Sequence, residues 1–158
     1  MAKLQCSCGN SMSNSTVPSK DIVFVFKKSV LLETMKKDSN ISLFDFETSD
    51  FNSKFEYWYC SDCKRIHVVD NSSDGRVVDT YSMIHDDKSF CLEDTKEIYV
   101  FSDEEIYDAE EDDPNLTLAS FIERNSSEHL YYLSLDEDKV FKARDTNVGQ
   151  LIYIREKK

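Results

Sequence analysis

The stretch Phe55-Glu56-Tyr57-Trp58-Tyr59-Cys60-Ser61-Asp62-Cys63-Lys64-Arg65-Ile66-His67-Val68-Val69 decides how the chain is read. An aromatic segment leads into a Cys-x-x-Cys turn, and a β-branched segment leads out of it. Aromatic and β-branched runs favour extended backbone, so the pattern predicts two strands joined by a cysteine knuckle. Asn71–Gly75 then carries the Asp-Gly signal of a hairpin turn, and Arg76–Ile84 returns as a third strand. Strand, knuckle, strand, turn, strand is the build of a zinc ribbon.

A second cysteine pair stands near the N-terminus, in Cys6-Ser7-Cys8-Gly9-Asn10. A tetrahedral zinc site takes four soft or borderline ligands, and two knuckles with two sulfurs each supply them. The expected ligand set is therefore Cys6, Cys8, Cys60 and Cys63, around a structural Zn²⁺. Gly9 is expected at positive φ, where it turns backbone N–H groups toward the thiolates. Lys3, Lys64 and Arg65 lie close enough in sequence to offset the −2 charge of a tetrathiolate zinc centre. The interval between the pairs, residues 9–59, is long for a ribbon, so a strand and helix within Asp21–Lys37 are read as an insertion. His67 has the spacing to replace one cysteine, although the polar face of a strand is its expected place. Cys91, between Phe90 and Leu92, is expected to be a small buried hydrophobe. A redox role for Cys60 and Cys63 would call for a thioredoxin-like βαβ pattern, which the sequence lacks.

These two motifs, with Tyr57 to Ile66 around the second, resemble those of a group of small, poorly characterised bacterial zinc-ribbon proteins. The resemblance covers about residues 1–85. It implies a metal site and, by association, an immunity or accessory role.

The remaining chain reads as more strands and helices. Ser11–Ser19 is a polar loop, and Asp21–Lys28 a strand with apolar residues on both faces. Ser29–Lys37 is a helix capped by Ser29, Ile41–Phe46 an extended segment, and Thr48–Ser53 a loop. Glu97–Phe101 is a strand, and Ser102-Asp103-Glu104-Glu105 opens a helix with a capping box. A second helix spans about Asn115–Arg124. Leu130–Leu135, Val140–Arg144 and Leu151–Ile154 form a meander. No internal repeat is evident. The fold class expected is α+β: a zinc-ribbon-like antiparallel sheet with a strand–helix insertion, then a small region of helix plus β-meander. The expected domains are 1–85, the ribbon region, and 96–158, the acidic helical segment and meander, either separate or packed as one.

Composition narrows the function. Ten Phe, eight Tyr and one Trp among 158 residues supply a core. The net charge of −12 repels phosphate backbones and anionic membranes, and it favours a basic protein partner. Residues 1–6 hold no apolar signal segment, which predicts a cytoplasmic protein with reduced thiols. With only three glycines, there is no phosphate-binding loop, dinucleotide turn or nucleophile elbow. The resulting expectation is a non-enzymatic zinc-binding protein acting through protein–protein interaction, immunity- or antitoxin-like. The alternatives are a zinc-ribbon regulator of transcription or nucleic-acid machinery, and an enzyme with an unfamiliar site.

Overall fold

A computed structural model describes residues 2–47, 54–72, 75–86, 88–144 and 147–157. The expected loop at Thr48–Ser53 and the centre of the turn within Asn71–Gly75 lie outside the described residues. The first half contains β1 (Lys3–Gln5), β2 (Ser11–Ser13), β3 (Ile22–Lys27), α1 (Lys28–Lys37), α2 (Leu43–Glu47), β4 (Phe55–Tyr59), β5 (Ile66–Asp70), β6 (Arg76–Met83) and β7 (Ser89–Cys91). The second contains β8 (Thr95–Ser102), α3 (Asp103–Asp112), α4 (Leu118–His129), β9 (Leu130–Ser134), β10 (Lys139–Ala143) and β11 (Val148–Arg155).

Eight of these strands close into an antiparallel barrel in the order β3-β4-β5-β6-β11-β10-β9-β8, with β8 returning to β3 and β7 added outside β11. This overturns the expected α+β ribbon with an appended meander. β4, β5 and β6 do follow one another as the ribbon reading required. Their outer edges, however, pair with β3 and β11 instead of ending a small sheet. Closure leaves no unpaired edge among these strands, which is the strongest protection a sheet has against mispairing. Strands from both sides of residue 86 thus share one barrel. The N-terminal cysteines sit in the turn of a separate two-stranded sheet, β1–β2, whose second strand lies in the segment read as a polar loop.

The barrel is built from two related halves, a repeat that the sequence conceals. β3-α1-α2-β4-β5-β6 is followed by β8-α3-α4-β9-β10-β11 in the same order. α3 starts 75 residues after α1, at 103 against 28, and α4 starts 75 after α2, at 118 against 43. That spacing superposes Phe26 on Phe101, Leu31 on Ile106, Leu43 on Leu118 and Phe46 on Phe121, all of them buried in one cluster. The isolated bridge Ser42–Thr117 joins equivalent residues. Its hydrogen bonds mirror each other: Leu43 N–H donates to Leu116 O at 2.9 Å, and Leu118 N–H donates to Ile41 O at 3.0 Å. At the β3–β8 seam, the equivalent Val25 and Val100 face each other. A pseudo-twofold axis therefore passes through that seam.

Alternation along the strands sorts the side chains. Phe24, Phe26, Tyr99 and Phe101 point outward from β3 and β8 and pack beneath the four helices, making the main core. Phe101 lies 4.8 Å from Phe121 and 4.6 Å from His129, centroid to centroid. Ser102 caps α3 through the expected capping box with Glu105. Thr117 caps α4 by accepting from Ser120 N–H. α1 starts after Lys27 with no side-chain cap, so Ser29 does not have the role expected of it. Ile41–Phe46 is also corrected: its last four residues belong to the short helix α2, held by the Ser42 hydroxyl accepting from Asp45 N–H at 3.0 Å.

Candidate metal centre

The alternation that sends Tyr57 and Tyr59 into the barrel sends Trp58 and Cys60 out. Trp58 is 1% exposed and Cys60 is fully buried. Outside the wall they meet Cys6 and Met12 of the β1–β2 hairpin, with Ile22 and Val69, in a second apolar cluster. Met12, fully buried, is the apolar anchor of the hairpin. Polar contacts fix the same hairpin: Ser13 N–H donates to Asp21 Oδ2 at 2.9 Å, and the Ser19 hydroxyl donates to Ser13 O at 2.9 Å.

Both cysteine turns have knuckle geometry. In the first, Gly9 N–H donates to Cys6 O and Cys6 N–H to Asn10 O, both at 2.9 Å, and Gly9 takes φ 97° as expected. In the second, Lys64 N–H donates to Cys60 O and Cys60 N–H to Arg65 O, both at 2.8 Å. There Lys64 adopts φ 61° without being glycine.

The two turns meet. The Sγ atoms of Cys6, Cys8, Cys60 and Cys63 all lie within 4.8 Å of one another. Cys6 Sγ is 3.4 Å from Cys63 Sγ, and Cys8 Sγ is 3.6 Å from Cys60 Sγ. Sulfurs at about 2.3 Å from a tetrahedral ion stand about 3.8 Å apart, whereas a disulfide needs about 2.05 Å. All four thiols are free. The cluster could therefore hold a metal ion, with one pair of ligands from each turn.

The surroundings favour the thiolate at Cys60 and oppose it at Cys8. The Cys60 thiol is drawn down to about 6: burial works against ionisation, but N–H groups of Cys63 and Asp62 and the Asn10 amide outweigh it. Asn10 Nδ2 lies 3.5 Å from Cys60 Sγ. The Cys8 thiol is pushed up to about 12; the Asn10 backbone favours its thiolate, while desolvation and the three neighbouring sulfurs oppose it. One thiol that ionises easily beside one that resists is the signature of four acids sharing a small volume. A cation at the centre removes the conflict.

His67 is not on a polar strand face. It is 6% exposed and points at the cluster, with Nε2 3.3 Å from Cys6 Sγ and Nδ1 3.1 Å from Thr80 Oγ1. Burial holds its pKa below the usual imidazole value. It touches one sulfur instead of joining the four. A metal-bound thiolate has no proton to give, so in a loaded site Nε2–H donates to Cys6 and Nδ1 accepts from Thr80. Of the three expected cations, Arg65 interacts with the site. Its guanidinium is bound first to Glu156, with Nε at 2.8 Å from Oε1, and second to Cys63, and both raise its pKa. Lys64 instead places Nζ 5.7 Å from the Tyr59 ring centroid. Cys91 is exposed on β7, contrary to its expected burial, and is not one of the four.

Fold and site together define a closed eight-stranded antiparallel barrel, with a four-cysteine cluster clasping an N-terminal hairpin to its outer wall. Residues 2–94 match the family model described as a domain of unknown function, DUF8617, and the chain belongs to that family. The matched region ends just before β8, so it holds the hairpin, all four cysteines and the first half of the barrel. No curated protein and no solved structure matches the chain. No helix among the described residues is long and apolar enough to cross a membrane.

Proposed function

We propose that this chain is a non-catalytic binding protein of the cytoplasm whose fold is locked by one structural Zn²⁺ on Cys6, Cys8, Cys60 and Cys63. The observation that carries the proposal is the convergence of four sulfurs from two distant turns within 4.8 Å. Four cysteines fill a tetrahedral shell, whereas a catalytic zinc keeps an open position. Thiolate ligands select zinc over the hard cations that carboxylates prefer. The test is metal analysis of the purified chain by native mass spectrometry. One zinc per chain is expected, with its loss in Cys60→Ser accompanied by release of the hairpin; a folded, metal-free chain with an ordered hairpin refutes the proposal.

The binding function itself is read as protein–protein recognition of a basic partner, in the manner of an immunity or antitoxin protein. Charge supports it: eight acidic residues lie between Asp103 and Asp113, while the equivalent helix α1 ends in Lys36 and Lys37. One acidic and one basic helix on the same side of the barrel form a polarised face suited to a complementary surface. The net charge of −12 weighs against the regulator reading, since nucleic-acid binding relies on cations that release counterions. Capture of a partner that leaves as salt rises supports this reading. Tight binding of duplex DNA at low salt overturns it in favour of the regulator.

A further inference from the structure

The barrel is not filled. The side chains that alternate inward line most of a cavity of about 720 Å³, which at one end also reaches Phe26, Val30 and Phe46 of the helix layer. An eight-stranded barrel has room either to be plugged by its own side chains or to hold one small ligand, and here the plug is missing. The pseudo-twofold accounts for the lining. Val23 faces Tyr57 across β3–β4, as Ile98 faces Tyr131 across β8–β9. Ile66 faces Tyr81 across β5–β6, as Val140 faces Tyr153 across β10–β11. Each half thus contributes two aliphatic and two tyrosine side chains at matching places, and all eight line the cavity.

We infer that this cavity binds one uncharged, mainly hydrocarbon small molecule carrying a hydrogen-bond-acceptor oxygen. The volume lies within the range of about 300–1,000 Å³ typical of small-molecule sites. Aliphatic walls only half-buried in the folded protein, such as Val25 and Val100, are surface that a hydrocarbon body would remove from water. Tyrosine supplies the polar contacts. Tyr81 is committed to Glu137 O at 2.6 Å. Tyr57, Tyr131 and Tyr153 line the cavity with no hydrogen-bond partner among the described residues. Burial raises all three hydroxyls and Tyr81, so they remain protonated donors. A ligand oxygen that accepts from them satisfies groups that would otherwise rely on trapped water.

The charges argue against an ionised occupant. Lys27 is paired with Glu137 at 3.1 Å, and Arg155 stands 3.9 Å from Asp79. Lys20 is exposed at the other end, where water solvates it. A carboxylate or ammonium drawn into the tyrosine-lined middle would lose its hydration without a partner, a cost that normally excludes it. The inference is independent of the zinc proposal: the cavity lies inside the wall and the sulfurs outside it.

The test uses the full zinc-loaded chain and the neutral fluorophore N-phenyl-1-naphthylamine. The expected result is saturable one-to-one binding with a blue-shifted emission. Methyl NMR should show shifts at Val25, Val100 and Leu133 but not at the exposed Leu32 and Leu135. Decanol should displace the probe at a lower concentration than decanoate. Val25→Phe with Val100→Phe, which fills the cavity at the seam, should weaken binding at least tenfold. If that double variant misfolds, the wild-type methyl map decides alone. Absence of saturable binding, shifts confined to outward methyls, or better displacement by decanoate would each overturn the inference.

Discussion

Replacing His67 by leucine isolates what supports the cluster from what forms it. The imidazole is buried, and its Nε2 lies 3.3 Å from Cys6 Sγ while Nδ1 lies 3.1 Å from Thr80 Oγ1. Leucine keeps an apolar side chain of similar bulk at the position, so the wall should not collapse. It removes the imidazole donor aimed at Cys6 and leaves the Thr80 hydroxyl without its partner. Loss of such a supporting group costs about 10–100-fold in metal affinity, equivalent to roughly 1.4–2.8 kcal/mol at 1.4 kcal/mol per decade. Competition against a chromophoric chelator at pH 7, in wild type and His67→Leu, measures that ratio directly. His67→Gln retains an N–H donor and should recover part of the loss, whereas a purely steric role would not distinguish the two variants. An affinity for zinc unchanged within twofold in His67→Leu, with the barrel intact by circular dichroism, would refute the argued role of Nε2.

Three further outcomes follow from the packing and charge. Phe101→Ala, at 1% exposure between Phe26, Phe121 and His129, should cost about 3–5 kcal/mol in urea unfolding; less than 1 kcal/mol would mean the helix layer contributes little. Gly149→Ala should cost about 1–3 kcal/mol through overpacking, because its Cβ would lie 2.6 Å from Leu92 Cδ2 and 3.2 Å from Phe141 Cβ; an unchanged urea midpoint would contradict the close approach. The Glu137 carboxyl is held below its ordinary value of 4.5, first by the hydrogen bond from Lys27. A depressed folded-state pKa means that its contribution is present above pH 4.5 and fades as pH falls through the folded value. Being partly exposed, the group should contribute about 0.2–1 kcal/mol. Glu137→Gln should lower stability by that much at pH 7 and by less at pH 3; an equal loss at both would place the effect in packing.

The eight barrel strands were each legible as apolar or alternating runs, from Asp21–Lys28 to Leu151–Ile154. The cysteine pairs were equally legible, because knuckle spacing is a local property. Closure was not. Pairing β3 with β8 joins residues about 75 apart, and nothing local in Val25 names Val100 as its neighbour. The duplication escaped for a related reason. It survives in buried pairs such as Phe46 and Phe121, while Lys28, Lys36 and Lys37 of α1 stand opposite Asp103, Glu111 and Asp112 of α3. Solvated helix positions tolerate inverted charge; core positions do not tolerate lost volume. His67 was misplaced because alternation gives the face of a residue but not what covers that face. Here the outward face of β5 is covered by a hairpin some sixty residues earlier. The inward tyrosines carried the missed signal. Tyr57, Tyr81, Tyr131 and Tyr153 each fall in a strand, and closure alone turns four such positions toward a common cavity.

X-ray absorption at the zinc edge of the purified chain tests the central claim most directly. One zinc per chain is expected, with a first shell of four sulfurs at about 2.3 Å. A shell containing nitrogen or oxygen, or a folded chain with no zinc, would contradict it.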